Sequence, residues 1–221
     1  MHQIELIDRV KLLLRWFPAI RKKIEIIDDF CFHGEINRSD TIIDVGCANY
    51  PQLGLFFAKK NYNVYLVDPT RKHKSDLLRL EKEYDNIRFV DAAIGLSDGK
   101  MSFFESDSKI SGSLLQSHRN VDDLSTEYNV DVFSIDSLLI KYNISKVGLL
   151  KLDLEGAEFD LILNSSKSIW SSINQVYVEF HHHCTEYSYK DTLKCVEVLK
   201  QYGYLSFKLH RDVFLFYRNN L

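Results

Sequence analysis

Five short apolar runs, each reading as a strand and most followed by a helical stretch, constrain this chain more than any other feature. They are residues 41–46 (TIIDVG), 63–68 (NVYLVD), 87–90 (IRFV), 147–152 (VGLLKL) and 173–180 (INQVYVEF). A strand that is apolar on both faces must be covered on both, and strands alternating with helices build βαβ units. Helical spacing fills residues 51–61, 71–84, 157–163 and 192–202, and residues 204–209 with 213–217 read as a closing hairpin. The expected fold is α/β: one doubly wound, mostly parallel sheet with a C-terminal antiparallel hairpin.

The flanks of this pattern are less regular. Ile4, Ile7, Val10, Leu13 and Leu14 recur at helical spacing, Pro18 breaks the run, and Ile20, Ile24 and Ile27 suggest a second helix. Residues 1–38 are therefore expected to form a helical segment, and residues 39–221 the sheet domain. Residues 92–94 and 100–104 flank Ser97-Asp98-Gly99, a hairpin signal. Residues 106–129 are polar without a clear period and read as a long loop or lid.

A chain of 221 residues is one generous domain, and 28 basic against 31 acidic side chains leave a net charge of −3. No basic surplus steers it onto nucleic acid, so none is expected as a partner. Cys31, Cys47, Cys184 and Cys195 form no CxxC and read as free thiols of a reducing compartment. Charges interrupt every apolar run, and the N-terminus lacks a secretory pattern, which points to a cytoplasmic protein with no membrane span.

The segment IIDVGCANYPQL stands where open α/β sheets bind nucleotides. A dinucleotide fingerprint requires G-x-G-x-x-G, but the matching positions here are Gly46, Ala48 and Pro51. Only one glycine remains, and Pro51 removes an N–H that a phosphate would seek. A nicotinamide oxidoreductase is thereby disfavoured. S-adenosylmethionine carries no phosphate and needs close backbone approach plus an acid for its ribose. Gly46 suits the first need, and Asp68, at the end of the next strand, the second.

Residues 149–163, LLKLDLEGAEFDLIL, contain the run Lys151-x-Asp153-x-Glu155-Gly156-x-Glu158. With IDVGCANY upstream and VYVEFHH downstream, the chain resembles the FkbM-type methyltransferases over residues 41–182. The resemblance implies a class I, Rossmann-like methyltransferase fold, S-adenosyl-L-methionine as cofactor, and methyl transfer to a hydroxyl of a small molecule, sugar or glycan. By the same resemblance Asp44, Gly46 and Cys47 lie in the first cofactor turn, Asp68 meets the ribose, and Asp91 and Ala92 lie near the adenine. Ala48 stands where the family has Asn, and Tyr50 where it has Gly, so Tyr50 is expected to narrow the cofactor pocket or stack over it. A fold that binds cofactor without turnover is the competing reading.

Alternation puts Lys151 and Asp153 on one face of their strand, with Asp153 at the crevice end, where it can orient substrate or cofactor. Lys151 and Glu179 are expected to pair across neighbouring strands, since neither charge can be buried alone. His181, His182, His183 and Cys184 invite a metal reading, but consecutive histidines point in alternating directions and cannot all grip one ion. No metal is expected from that run. His181, with His182 as the fallback, is the expected proton acceptor, Asp153 its catalytic companion, and His118 a weaker rival.

Overall fold

The computed structural model describes residues 23–34, 36–107, 111–119, 125–210 and 212–218. A hairpin of β1 (Ile24–Ile27) and β2 (Phe30–His33) precedes the first central strand, β3 (Thr41–Val45). Helix α1 (Gln52–Ala58) leads to β4 (Val64–Val67), and α2 (Lys74–Glu83) leads to β5 (Ile87–Val90). An insertion follows, made of β6 (Ala93–Ile94), β7 (Gly99–Ser106), β8 (Gly112–Ser113) and β9 (Ser125–Phe133). The alternation then resumes with α3 (Ile135–Lys141), β10 (Val147–Leu152), α4 (Ala157–Asn164), β11 (Gln175–Glu179) and α5 (Tyr189–Gln201). It ends in the hairpin of β12 (Leu205–Lys208) and β13 (Val213–Tyr217).

The main sheet has the order β12-β13-β11-β10-β3-β4-β5. Strands β5, β4, β3, β10 and β11 are mutually parallel, and β13 runs antiparallel between β11 and β12. The chain moves outward from β3 in one direction and from β10 in the other, so these two strands flank the topological switch point where such sheets bind ligands. Side chains alternate between two cores, as the pleat requires. Leu150 and Leu152 pack with Phe159, Ile162 and Leu199 on one face, while Leu149 packs with Ile42, Phe57 and Leu77 on the other.

Ile24 to Ile27 form a strand, not the end of a second helix. The spacing of Ile20, Ile24 and Ile27 imitates a helix, but Asp28-Asp29 forms a two-residue turn with Asp28 at φ +48°, and Ile27 pairs with Phe30. Acidic turn residues tolerate that left-handed conformation, and aromatic neighbours favour the pleat. The hairpin is tied to the sheet at His33. Its N–H donates to the Gln175 side-chain oxygen at 2.7 Å, and the Gln175 amide donates back to the His33 carbonyl at 2.7 Å. The helix expected before Pro18 lies outside the described residues.

Two further expectations are corrected. Residues 93–94 and 99–106 do not pair with each other; both pair with β9, β6 parallel to it and β7 antiparallel. Residues 106, 112–113 and 125–129 of the expected loop are strand. In β9 the buried residues Tyr128, Val130 and Val132 alternate with Glu127, Asn129 and Asp131, a period-2 face hidden by polar composition. This second sheet, β6-β9-β7-β8, stands over the carboxyl ends of β3 and β4.

Candidate active site

The site is assembled where β3, β4 and β10 end. Gly46 leaves β3 at φ +69°, and a Cβ built on it would lie 1.8 Å from the Asp153 carbonyl oxygen. Only a glycine lets the two turns approach so closely. The Gly46 N–H donates to the Val67 carbonyl at 2.9 Å, and its own carbonyl accepts from Lys151 Nζ at 2.9 Å. Lys151 Nζ also lies 3.1 Å from Asp153 Oδ2 and 3.5 Å from Asp44 Oδ1. Burial alone would lower the Lys151 amine, but Asp153 and Asp44 outweigh it and hold it well above its ordinary value. Its ion-pair partners are thus Asp44 and Asp153, not Glu179. Lys151 is registered against Asp44 on β3 and Tyr177 on β11, so Glu179 is its diagonal neighbour and senses its charge without closing an ion pair.

Two cavities meet at this junction. The first has an open volume of about 700 Å³ and runs from Gly46 past Asp68 and Thr70 to Ala93 and Ile94, roofed by Phe103 and Leu114. The second, about 630 Å³, lies between the β1–β2 hairpin and the same glycine turn, bordered by Asp29, Tyr50, Lys151, Tyr177 and Glu179. Gly46, Ala48 and Asp153 belong to both.

Asp68 lines the first cavity and is nearly fully buried. Its carboxylate accepts from the Ala48 N–H at 2.9 Å and from the Thr70 N–H at 2.8 Å, with His73 Nδ1 at 3.7 Å. Burial would raise this carboxyl, but the contacts to His73 and Thr70 win and hold it below its usual value. Asp68 therefore enters the cavity ionised. Asp44, Cys47 and Tyr50 line the second cavity, not the first. Asp44 is buried, accepts the Gly54 N–H at 2.9 Å, and is raised mainly by burial, with Lys151 opposing. Tyr50 is 66% exposed, so it walls the second cavity and does not close over the first. Asp91 points outward to Lys74 at 2.6 Å, and Ala92 is buried behind the wall that Ala93 and Ile94 provide.

At the end of β11, His181 faces the crevice and His182 does not. His181 Nε2 stands 3.5 Å from Asp153 Oδ1 and 3.5 Å from Glu155 Oε2, while its Nδ1 is 3.3 Å from Glu158 Oε1. Burial alone would lower this imidazole, but Glu158, Asp153 and Glu155 push it up to about 10. His182 turns the other way, between Thr192 Oγ1 at 3.1 Å and Asp212 Oδ1 at 3.3 Å. The alternation of an extended chain accounts for that split.

Glu158 ties the turn before α4 to the segment after β11. Fully buried, it accepts the Gly156 N–H and the His181 N–H, each at 2.8 Å. Sequence reasoning did not see Glu155, Tyr177 or Glu179 as crevice residues. For Tyr177 and Glu179 a signal was present, because they occupy alternate positions on β11, on the same face as Lys151 on its neighbour.

A family comparison decides what this arrangement is. Residues 44–206 match the Methyltransferase FkbM domain. The chain belongs to the FkbM methyltransferase family. It is an S-adenosylmethionine-dependent methyltransferase, and its topology is that of the class I fold. No curated protein matches the FkbM chain by sequence. Among solved structures it is similar to the fibrillarin pre-rRNA processing protein of Methanococcus jannaschii, at 12% identity and a TM-score of 0.48, covering 90% of this chain and 70% of that one. Fibrillarin from Aeropyrum pernix, in complex with natively bound S-adenosyl-L-methionine, gives 12% identity and 0.47, covering 90% and 71%. An rRNA methylase from Streptococcus thermophilus gives 11% and 0.46, covering 82% and 86%. Among the described residues no helix is long and apolar enough to cross a membrane.

The first cavity fits the cofactor. It offers the backbone of the close-packed Gly46 turn, an ionised carboxylate for hydroxyl donors, and an apolar roof. Replacing Asp68 by Asn keeps the shape but removes the charge, and should weaken S-adenosylhomocysteine binding by about 1–3 kcal/mol. Calorimetry on the folded variant checks this, and unchanged affinity would remove Asp68 from the cofactor site.

Proposed function

We propose that this FkbM methyltransferase moves a methyl group onto a hydroxyl of a small polyhydroxylated acceptor, such as a sugar, held in the second cavity. One observation carries the reading: the two cavities share Gly46, Ala48 and Asp153, so ligands in them would meet at a single junction. When bound, the cofactor supplies an electrophilic methyl group on a sulfonium. Gly46 and Asp68 hold it from the first cavity. On the other side Asp29, Asp153 and Glu179 offer carboxylates to hydroxyl donors, and Tyr50 and Tyr177 offer ring faces for the sugar's C–H groups. An acidic lining of this kind repels a polyanion, which favours a small acceptor over nucleic acid.

Asp153 stands between two cations, Lys151 on Oδ2 and His181 on Oδ1, and so presents a fixed anion to the acceptor hydroxyl. His181 is not the base. Surrounded by carboxylates, it keeps its proton near neutral pH, and its part is to position Asp153. Glu179 suits proton removal better. Burial first, and the Asp153 charge second, raise its carboxyl above the usual value, which brings it closer to working pH. Turnover should therefore climb with pH through a limb above that of an ordinary glutamate, as Glu179 loses its proton.

The test measures cofactor affinity and methyl transfer separately. Glu179→Gln should lower turnover by about 10²–10⁴-fold and abolish that limb, with S-adenosylhomocysteine affinity nearly unchanged. Tyr50→Ala should raise the acceptor KM alone. A Glu179→Gln enzyme with full turnover and an intact limb would assign the proton elsewhere. Transfer to RNA but to no sugar or small hydroxyl acceptor would overturn the acceptor class.

A further inference from the structure

Beside the junction, three separate chain segments bring a histidine, a cysteine and a glutamate to one point. His118 Nε2 is 2.9 Å from Glu155 Oε2 and 3.1 Å from Cys184 Sγ, and all three donor atoms lie within 4.8 Å of one another. His118 and Cys184 are buried, and the Glu155 side chain is only 19% exposed. The Arg119 N–H donates to the Cys184 carbonyl at 2.8 Å, which clamps the segment after β8 to the turn after β11. Glu155 is held at φ +49°, a left-handed conformation that a non-glycine residue adopts only when its surroundings impose it.

We infer that His118, Glu155 and Cys184 form a binding site for a zinc ion. Nitrogen, sulfur and carboxylate oxygen are the donors zinc takes, usually in a tetrahedron. With zinc–ligand bonds of about 2.0–2.3 Å, the edges of that tetrahedron run to roughly 3.3–3.6 Å, so the two separations from His118 need open only by tenths of an ångström, while Glu155 and Cys184, already within 4.8 Å, close around the ion. A water or the second Glu155 oxygen completes the set. This ion uses none of the three consecutive histidines. It draws on Cys184, which follows them, and on residues 66 and 29 positions earlier in the chain.

The position gives the site a task. Glu155 lines the first cavity, and the segment that carries His118 begins at Ser111, Gly112 and Leu114 of the same cavity wall. Zinc here pins that wall to the end of β11 and fixes the shape of the cofactor site. Its action is structural: it contacts no reacting group, and the site stands whether or not the acceptor proposed above is correct.

Metal analysis of protein purified without chelator should find about one zinc per chain. After stripping, titration with cobalt should give a near-ultraviolet thiolate-to-cobalt band and the strong visible bands of four-coordinate cobalt. Cys184→Ser should lose the thiolate band, and both Cys184→Ser and His118→Asn should weaken zinc, measured by chelator competition, by at least about a hundredfold. Cys195→Ser, a buried thiol elsewhere, should keep the band and the affinity. Zinc should also raise the melting temperature of the stripped wild type by several degrees. Absence of both zinc and cobalt spectra in the wild type overturns the inference, as does a thiolate band that survives Cys184→Ser. Should Cys184→Ser fail to fold, zinc affinity unchanged in His118→Asn overturns it equally.

Discussion

Lys151→Met should destabilise the folded chain by about 3–5 kcal/mol, measured by urea unfolding near neutral pH. The size follows from what the lysine leaves behind. Asp44 is almost wholly buried and Asp153 largely so, and Lys151 is the ammonium within reach of both. Without it, two carboxylates face each other in a site that burial already makes unfavourable for Asp44. Asp44 would respond by taking up a proton, so the deficit should shrink as the pH falls towards the acid range. Adding Asp44→Asn to Lys151→Met removes one orphan charge, and the pair should cost less than the sum of the single variants. The same variant should bind S-adenosylhomocysteine more weakly, because Lys151 Nζ also holds the Gly46 carbonyl. A loss below about 1 kcal/mol, with strict additivity, would mean that water solvates these carboxylates and that the triad holds nothing together.

The fold was legible in the sequence because its central strands are buried on both faces. Continuous runs such as IIDVG and VGLLKL admit few alternatives, and their order gave the parallel sheet and its switch point. What escaped was set by interactions a linear reading weighs poorly. The β1–β2 hairpin depends on a left-handed Asp28 and on Gln175, 142 positions from the His33 it bonds. Strand β9 hides behind four polar residues that face solvent, while its buried face is completed from outside the strand, by Ala93, Phe103 and Leu114.

The backbone of the candidate site was legible at the glycine turn and at the end of β4. Gly46 and Asp68 follow from backbone demands that spacing expresses directly. Side-chain partners do not follow from spacing. Lys151 was assigned to Glu179 because both lie near strand ends, but register gives it to Asp44 and Asp153. His181 was assigned the role of base because an isolated imidazole titrates near neutrality. Three carboxylates, from residues 153, 155 and 158, raise that imidazole once the turn folds around them, which is the ground for proposing Glu179 in its place.

Gly46→Ala should remove cofactor binding, with at least about a hundredfold loss of S-adenosylhomocysteine affinity, and should destabilise the fold by about 3 kcal/mol. Two costs combine. The left-handed φ of +69° accounts for roughly 1 kcal/mol by itself. The larger part is steric: the added carbon would sit 1.8 Å from the Asp153 carbonyl oxygen, against backbone that no rotamer change can clear. Relief requires β3 and β10 to part by more than an ångström at their carboxyl ends. That shift would displace Asp153 from Lys151 and His181, and it would open the junction of the two cavities. Gly34→Ala is the matched control, since Gly34 has a similar φ of +54° but nothing within 4 Å of the new carbon. It should show the backbone cost alone, with cofactor affinity intact. If Gly46→Ala behaves like Gly34→Ala in both stability and binding, the close approach of the two turns is not what shapes the cofactor site, and the cradle must be sought elsewhere in the first cavity.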